Sequence, residues 1–283
     1  STIYLSAELD SCEASVSLQW NDYNSWRGDI AQYRIYGSTD GINYSVFETI
    51  PEGTNETTIQ NIDSDLLYRF YVQVIRASTG DSSVSNRVEI FINMAQIPDY
   101  IHADYATVSN EYALVSFTID TASQLNTYNL LRSDDPSETF NVINTFSTTE
   151  KKIEYMDDID PQQQSYFYRM EAVNFCDNVV RSSENMASTI LLNSRLNGLA
   201  AQLTWNNYRN WLGGIDTYKV ERRFNKSDYE LITSVSDNQY IDNSLANLQN
   251  TDVGSEVCYR ITAFEGDSNP HGIQSMSTSN QAC

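Results

Sequence analysis

Positive charge is scarce in this chain of 283 residues. It contains 17 Lys and Arg against 38 Asp and Glu, which gives a net charge of −21 at pH 7. A surface this negative repels phosphate backbones and anionic lipid headgroups, so we expect no nucleic acid partner. A run of about 18 apolar residues is also missing, and we expect no membrane insertion. With four cysteines, the chain is not a disulfide-dense scaffold.

Catalytic patterns are missing as well. The chain has only two histidines, His102 and His271, which the sequence gives no reason to bring together. It contains no HExxH, no CxxC, no nucleophile elbow and no phosphate-binding glycine loop. We therefore predict no catalytic residues, no cofactor and no metal site, and a protein that is not an enzyme. One alternative stays open: calcium binding near the acidic residues 157–160, although calcium needs six to eight oxygen ligands.

What the sequence does contain is an internal repeat. All four tryptophans belong to two copies of one pattern, WNxYxxW, which lie roughly 185 residues apart. The first copy comprises Trp20, Asn21, Tyr23 and Trp26, and the second comprises Trp205, Asn206, Tyr208 and Trp211. A middle copy spans residues 112–119, with Phe117 in the position of the first tryptophan. This spacing predicts three modules, residues 1–94, 95–188 and 189–283, each of ordinary domain size.

Apolar residues alternate with polar ones along most of the chain. Val16, Leu18 and Trp20 form one such run, and residues 68–74 form a longer one. This period of two predicts strands with one buried face, and no long segment has a helical period. Neither junction between modules contains a Gly/Ser-rich tract, which favours semi-rigid joints. We therefore predict an all-β protein, an elongated array of three β-sandwiches.

The spacing of the aromatic residues resembles that of the fibronectin type III sandwich, an immunoglobulin-like fold. Trp20 is followed by Tyr33-x-Ile35 and then by Tyr68. The resemblance implies that Trp20 lies in the core and that Tyr68 forms the corner hydrogen bond of the fold. Tyr166 is the equivalent residue in the second module. In the third module Val257 occupies this position, which puts that corner in doubt.

A narrower resemblance involves WNxYxxW, CYRITAFEG and the closing SxSNQAC. These phrases resemble tandem modules that precede the gliding-motility-associated C-terminal domain of Bacteroidota surface proteins. Such proteins are exported by the type IX secretion system, so the resemblance implies an extracellular or outer cell surface location. The chain opens on strand-like residues with no signal segment. We expect it to be part of a longer protein.

In this resemblance Cys258 and Cys283 fall on neighbouring antiparallel strands, F and G, of the third module. A bridge between them would close a loop of about 24 residues, worth about 3 kcal/mol in the loop-entropy model, and would imply an oxidising compartment. Cys12 and Cys176 fall in different modules. We expect Cys12 to pair with a module upstream of this sequence and Cys176 to be free, so that this chain has two free thiols.

The aromatic residues of the repeated loops have two interpretations. Trp26 and Trp211, with Tyr23 and Tyr208, could stack on a sugar or anchor a protein partner. Alternatively, each pair packs on its own sandwich or at a junction between modules, which the duplication favours. The tripeptide at 27–29, Arg-Gly-Asp, spells an integrin-binding motif, but only its glycine recurs in the second copy, which favours a simple turn.

These observations predict a non-catalytic structural or interaction segment, a spacer or adhesion-type rod of a bacterial surface or secreted protein. It is expected to be a monomer whose contacts are with neighbouring domains of the same polypeptide. The alternative is a carbohydrate- or protein-binding module that uses the loop aromatics, accessory to a large secreted enzyme, with a protein or glycan partner at the cell surface.

Overall fold

The structure, a computed structural model, describes residues 2–247 and 256–283. Among the described residues, strands account for 53% and helix for 2%, which confirms the all-β prediction. The chain divides into two compact units, Ser1–Ala95 and Gln96–Cys283.

The first unit is a sandwich of two antiparallel sheets. Its strands are β1 (Leu5–Asp10), β2 (Ser15–Trp20), β3 (Ile30–Ser38), β4 (Ser45–Pro51), β5 (Glu56–Ile59), β6 (Leu67–Arg76), β7 (Ser82–Val84) and β8 (Val88–Phe91). One sheet has the order β1-β2-β5, and the other has the order β4-β3-β6-β7, with β8 also paired to β6. Three strands packed on four is the arrangement that the resemblance to fibronectin type III implies.

Along each strand, apolar side chains that point inward alternate with side chains that point outward, and the inward ones form the core of this unit. Val16, Leu18 and Trp20 of β2 are at most 3% exposed, and they pack with Phe70 and Val72 of β6. Burying an apolar side chain of this size stabilises the fold by about 1.5–3 kcal/mol. The central position predicted for Trp20 is therefore the position that the structure shows.

The corner tyrosines also form the expected bonds. The hydroxyl of Tyr68 accepts a hydrogen bond from the backbone N–H of Asp63 at 3.1 Å. In the second unit the hydroxyl of Tyr166 accepts one from Asp160 N–H at 3.3 Å. Most of the corresponding residues ahead of Val257, 248–255, lie outside the described part of the chain, so the third corner stays untested.

The second unit contains two further sandwiches. The strands of the first are β9 (Ile101–Ser109), β10 (Tyr112–Ile119), β11 (Thr127–Ser133), β12 (Asn141–Ser147), β13 (Lys152–Asp158), β14 (Phe167–Val173), β15 (Val179–Ser182) and β16 (Ala187–Ser188). Those of the second are β17 (Leu192–Asn197), β18 (Ala200–Trp205), β19 (Ile215–Phe224), β20 (Glu230–Val235), β21 (Gln239–Asp242), β22 (Val257–Glu265) and β23 (Met276–Thr278). Short 3-10 helices cover Asn24–Trp26 and Ser244–Asn247. We refer to the three sandwiches as the first, second and third modules.

Both sandwiches of the second unit repeat the order of the first. The three-stranded sheets are β13-β10-β9 and β17-β18-β21, and the larger sheets are β12-β11-β14-β15, with β16 on β14, and β20-β19-β22-β23. Phe117 is 1% exposed and Trp205 is 4% exposed, each inside its own core. The middle copy of the repeat therefore replaces tryptophan by phenylalanine at the same structural position.

A buried ion pair crosses the core of the third module. The carboxylate of Asp242 is fully buried, 2.5 Å from Arg222 Nη1, and accepts a hydrogen bond from the Tyr259 hydroxyl at 2.9 Å. Burial alone would raise the pKa of Asp242, but hydrogen bonds from Ser244, Tyr259 and Arg222 hold it below its ordinary value. The carboxylate is therefore charged at neutral pH and satisfied by its partners.

Candidate functional site: the joint between the second and third modules

The loop after β18 carries two of the aromatic residues proposed from the sequence. Tyr208 and Trp211 are 3% and 5% exposed, and their rings stack with centroids 3.8 Å apart. Both belong to the hydrophobic core of the third module. Neither ring offers an open face on which a sugar could stack, which favours the packing interpretation for this pair.

Both side chains bind the first strand of the second module. Trp211 Nε1 donates a hydrogen bond to the backbone carbonyl of Asp104 at 2.6 Å. The hydroxyl of Tyr208 accepts one from the backbone N–H of Ala106 at 3.2 Å. Burial raises the pKa of Tyr208, so its hydroxyl is neutral. The loop is thus attached to two positions on β9.

Strand β23 of the third module also lies against β9. Ser277 Oγ donates a hydrogen bond to the carbonyl of Ala106 at 2.8 Å, and Thr107 Oγ1 accepts one from the N–H of Thr278 at 2.9 Å. Because β9 is an edge strand of its sheet, its outward backbone groups would otherwise be unpaired. We call this contact, β9 with Tyr208, Trp211 and β23, the joint.

The two histidines meet beside the joint, so the expectation that they lie apart is wrong. His102, on β9, is fully buried, and its ring centroid lies 6.0 Å from that of His271. The ring of His271 stacks on Tyr100 at 3.8 Å. The side-chain amide of Asn269 lies between His102 and Glu265. The expectation failed because only the contact between modules brings these residues together.

The equivalent loop of the first module has a different environment. Tyr23 is 9% exposed and meets Trp26 edge-on, with centroids 4.9 Å apart. Trp26 packs against the core of its own module, and the guanidinium of Arg76 lies 5.9 Å from its ring. Its side chain remains half-buried, so it keeps a solvent-accessible portion. The two copies of the repeat therefore use the same aromatic pair differently.

The Arg-Gly-Asp tripeptide forms a turn. Gly28 has a φ of +80°, a conformation that favours glycine. The carboxylate of Asp29 binds Arg76 Nε at 2.7 Å and the Ser78 hydroxyl at 2.6 Å. These hydrogen bonds, that of Ser78 foremost, lower the pKa of Asp29. A carboxylate engaged in its own module is poorly placed to bind a receptor, and this supports the interpretation as a turn.

A polar cleft of about 700 Å³ opens between the second and third modules. Glu111, Asp158 and Asp160 line it from the second module, and Arg260 and Tyr229 line it from the third. The guanidinium of Arg260 lies 4.1 Å from the centroid of the Tyr229 ring. Because the cation occupies a face of this ring, Tyr229 is not a free stacking platform for a sugar.

Calcium binding at residues 157–160 finds no support in the geometry. Both carboxylate oxygens of Asp157 bind Arg132 Nη1, at 2.8 and 3.0 Å, and one also accepts a hydrogen bond from the Tyr168 hydroxyl at 2.9 Å. A carboxylate held this way is not free to bind a cation. Across residues 2–247 and 256–283, the one acidic, histidine or cysteine group with metal-ligand spacing comprises Glu256, Cys258 and Cys283. Both of its sulfurs are consumed by a disulfide.

All four cysteines are disulfide-bonded. Cys258 of β22 bonds to Cys283, the pair expected from neighbouring strands. Cys12 and Cys176 are also oxidised, so the prediction of two free thiols is wrong. That prediction compared only equivalent positions in neighbouring modules, and such a comparison does not determine the oxidation state of a cysteine.

Comparisons with known proteins give no argument about the function of this chain. No family model matches the chain, and no curated protein matches it. Among solved structures, the chain is similar to the FN1–FN3 domains of chicken CNTN1, with 14% sequence identity, 98% of this chain and 95% of that chain covered, and a TM-score of 0.30. At this identity and TM-score the likeness says nothing about function or about how the modules are arranged.

Within the described residues no helix has the length and apolar character needed to cross a membrane. The sheet orders described above identify tandem antiparallel β-sandwiches.

Proposed function

We propose that this chain is a non-catalytic structural and interaction segment, a spacer or adhesion-type rod of a bacterial surface or secreted protein. The observation that carries the proposal is the burial of Tyr208 and Trp211 against β9. The most conspicuous aromatic residues of the third module are used to attach it to its neighbour. A chain built this way holds modules in a set orientation.

Several independent contacts support a rigid joint. The N–H and the carbonyl of Ala106 both bond to the third module, one to Tyr208 and the other to Ser277. Each such hydrogen bond contributes about 0.5–1.5 kcal/mol net, and leaving a buried group unpaired costs more. The loop that carries Tyr208 and Trp211 and the strand β23 both contact β9. Rotation of one module against the other would therefore break all of these contacts together.

The oxidation state of the cysteines, the net charge and the sequence resemblance all support an extracellular location. Disulfides persist in oxidising compartments, and all four cysteines are oxidised. The strong negative charge suits a soluble exterior segment with few nonspecific contacts. Together with the resemblance to modules of type IX secreted proteins, this supports an extracellular or outer-surface segment, monomeric, whose partners are neighbouring domains.

Rotational diffusion measured by ¹⁵N relaxation tests the proposal on the full chain. If the joint is rigid, amides of β10 and β18 share one diffusion tensor. In a Trp211→Ala variant they should separate into two faster-tumbling sets, whereas the matched Trp26→Ala variant should leave them coupled. Independent tumbling of the second and third modules in the unmodified chain would contradict the proposal.

A second candidate function, glycan or protein binding, is favoured by one observation. Trp26 keeps solvent exposure in its loop, whereas Trp211 does not. A glycan array probed with the full chain and with Trp26→Ala tests it, with Tyr4→Ala as a control at another exposed aromatic residue. Binding that is lost only in Trp26→Ala would support this function, and equal signals from all three proteins would reject it.

A further inference from the structure

We propose that the joint is closed only while His102 is neutral, so that mild acid releases the second and third modules from each other. This inference rests on the proposed joint and adds a condition under which it opens. Both histidines of the chain lie beside it.

The orientation of Asn269 defines the protonation state of His102. Asn269 Oδ1 accepts a hydrogen bond from the backbone N–H of His271 at 2.9 Å, so its Nδ2 group points the other way. That group donates to Glu265 Oε1 at 2.8 Å and lies 3.2 Å from His102 Nε2. Since Nδ2 can only donate, His102 Nε2 must accept and therefore carries no proton.

A proton on His102 Nε2 would disrupt this arrangement. It would point an N–H at the amide N–H of Asn269, replacing a hydrogen bond with a repulsion. Reversing the amide does not relieve the conflict, because Asn269 Oδ1 would then face Glu265 Oε1 and its Nδ2 would face the N–H of His271. Opening of the contact between the modules would accommodate the charge.

The surroundings of His102 favour the neutral form on balance. Its ring is fully buried, and Nδ1 has no hydrogen-bond partner within the described residues. Glu265 and Glu184 face it and favour protonation, whereas burial and the neighbouring His271 oppose it. Burial has the largest effect and lowers the pKa of His102 below its ordinary value of 6.5. Asp104 is also buried on β9, and its carboxylate accepts a hydrogen bond from the Ser116 hydroxyl.

His271 forms a contact with Glu184 beside His102. Its Nε2 lies 2.9 Å from Glu184 Oε2, and the two side chains are 17% and 37% exposed. A partly exposed pair is screened by solvent and contributes little to the stability of the joint.

The sign of the effect follows from proton linkage. The pKa of His102 is lowered in the closed joint, so below about pH 6.5 the open form binds more protons than the closed form. The joint is therefore most stable above that pH and weakens as pH falls below it. One proton changes the closing equilibrium by at most about tenfold for each pH unit.

Two backbone amides report the closing equilibrium directly. Ala106 N–H bonds to Tyr208 and Thr278 N–H bonds to Thr107, both across the joint. Hydrogen exchange of these amides in the full chain, corrected for the intrinsic effect of pH, should show protection that falls by up to about tenfold between pH 7.5 and pH 5.5. The amide of Val115, inside the second module, serves as the control and should not change.

Variants and a direct titration complete the test. His102→Gln, neutral at every pH, should lose the pH dependence, whereas His271→Gln should keep it. Since His102→Gln could disturb packing, the two histidines of the unmodified chain are also titrated by NMR, and His102 should titrate below pH 6.5. A titration of His102 at or above pH 6.5, or protection that does not change with pH, would overturn the inference while leaving the joint intact. Unprotected Ala106 and Thr278 at pH 7.5 would instead refute the joint itself.

Discussion

Replacing Tyr208 by phenylalanine would remove one hydroxyl from the joint. Phenylalanine keeps the ring that stacks on Trp211 at 3.8 Å, so the core of the third module is preserved. The substitution removes the oxygen that accepts from Ala106 N–H at 3.2 Å. A buried donor left without a partner costs about 1–3 kcal/mol. At about 1.4 kcal/mol for each tenfold change, the closing equilibrium should weaken by about 5- to 150-fold.

Hydrogen exchange at Ala106 measures this loss in the full chain at pH 7.5. The matched control is Tyr23→Phe, the equivalent substitution in the first unit, for which we expect protection at Ala106 to stay within about twofold. Urea unfolding of the third module should change much less than the exchange rate does. If Tyr208→Phe left the exchange of Ala106 unchanged, the bond drawn between these groups would not hold the joint, and the reasoning would fail.

Three further predictions concern stability. Replacing Cys258 and Cys283 together by serine should lower the free energy of unfolding of the third module by about 3 kcal/mol in urea titrations, and a change below about 1 kcal/mol would contradict the loop-entropy estimate. Asp242→Asn leaves a buried guanidinium unpaired and should cost about 3–5 kcal/mol. Because hydrogen bonds hold the pKa of Asp242 below 3.8, its contribution is present at neutral pH and is lost as pH falls below about 3.8, so the acid-unfolding curve of Asp242→Asn should be flatter. Trp211→Ala should cost about 3–5 kcal/mol, and the half-buried Trp26→Ala clearly less; equal losses in calorimetry would mean that the two loops pack alike.

Packing inside each module could be predicted well from the sequence. Trp20, Phe117 and Trp205 occupy equivalent buried positions because period-two alternation determines which face of a strand is apolar. Tyr68 and Tyr166 form their corner bonds because the fold places that hydroxyl near its own backbone. These interactions form within one module, so the residues that make them recur at equivalent positions of the repeat.

Charged residues in the cores could not be predicted in the same way. Alternation places Asp242 and Arg222 on inward positions, but a carboxylate at such a position reads as an exposed turn residue unless its partners are known. In the second module, the acidic residues 157–160 suggest a calcium site for this reason, although Asp157 is bound to Arg132. A sequence pattern shows polarity and does not show pairing.

Contacts between modules were the hardest to anticipate. The duplication of Tyr23 and Tyr208 suggested a common role, yet only contact with an edge strand shows what Tyr208 binds. The meeting of His102 and His271 depends on the same contact. Which edge of a sandwich is covered depends on the relative placement of two modules, and no periodicity within either module encodes it.

The Trp211 indole offers the most direct test of the central claim, that this side chain attaches the third module to the second. Nuclear Overhauser spectra of the full chain at pH 7.5 would detect protons near its Nε1–H. The account predicts contacts to the backbone of Asp104 and Tyr105 and slow exchange of the indole proton. An indole proton that exchanges rapidly with water and contacts only residues of the third module would contradict it.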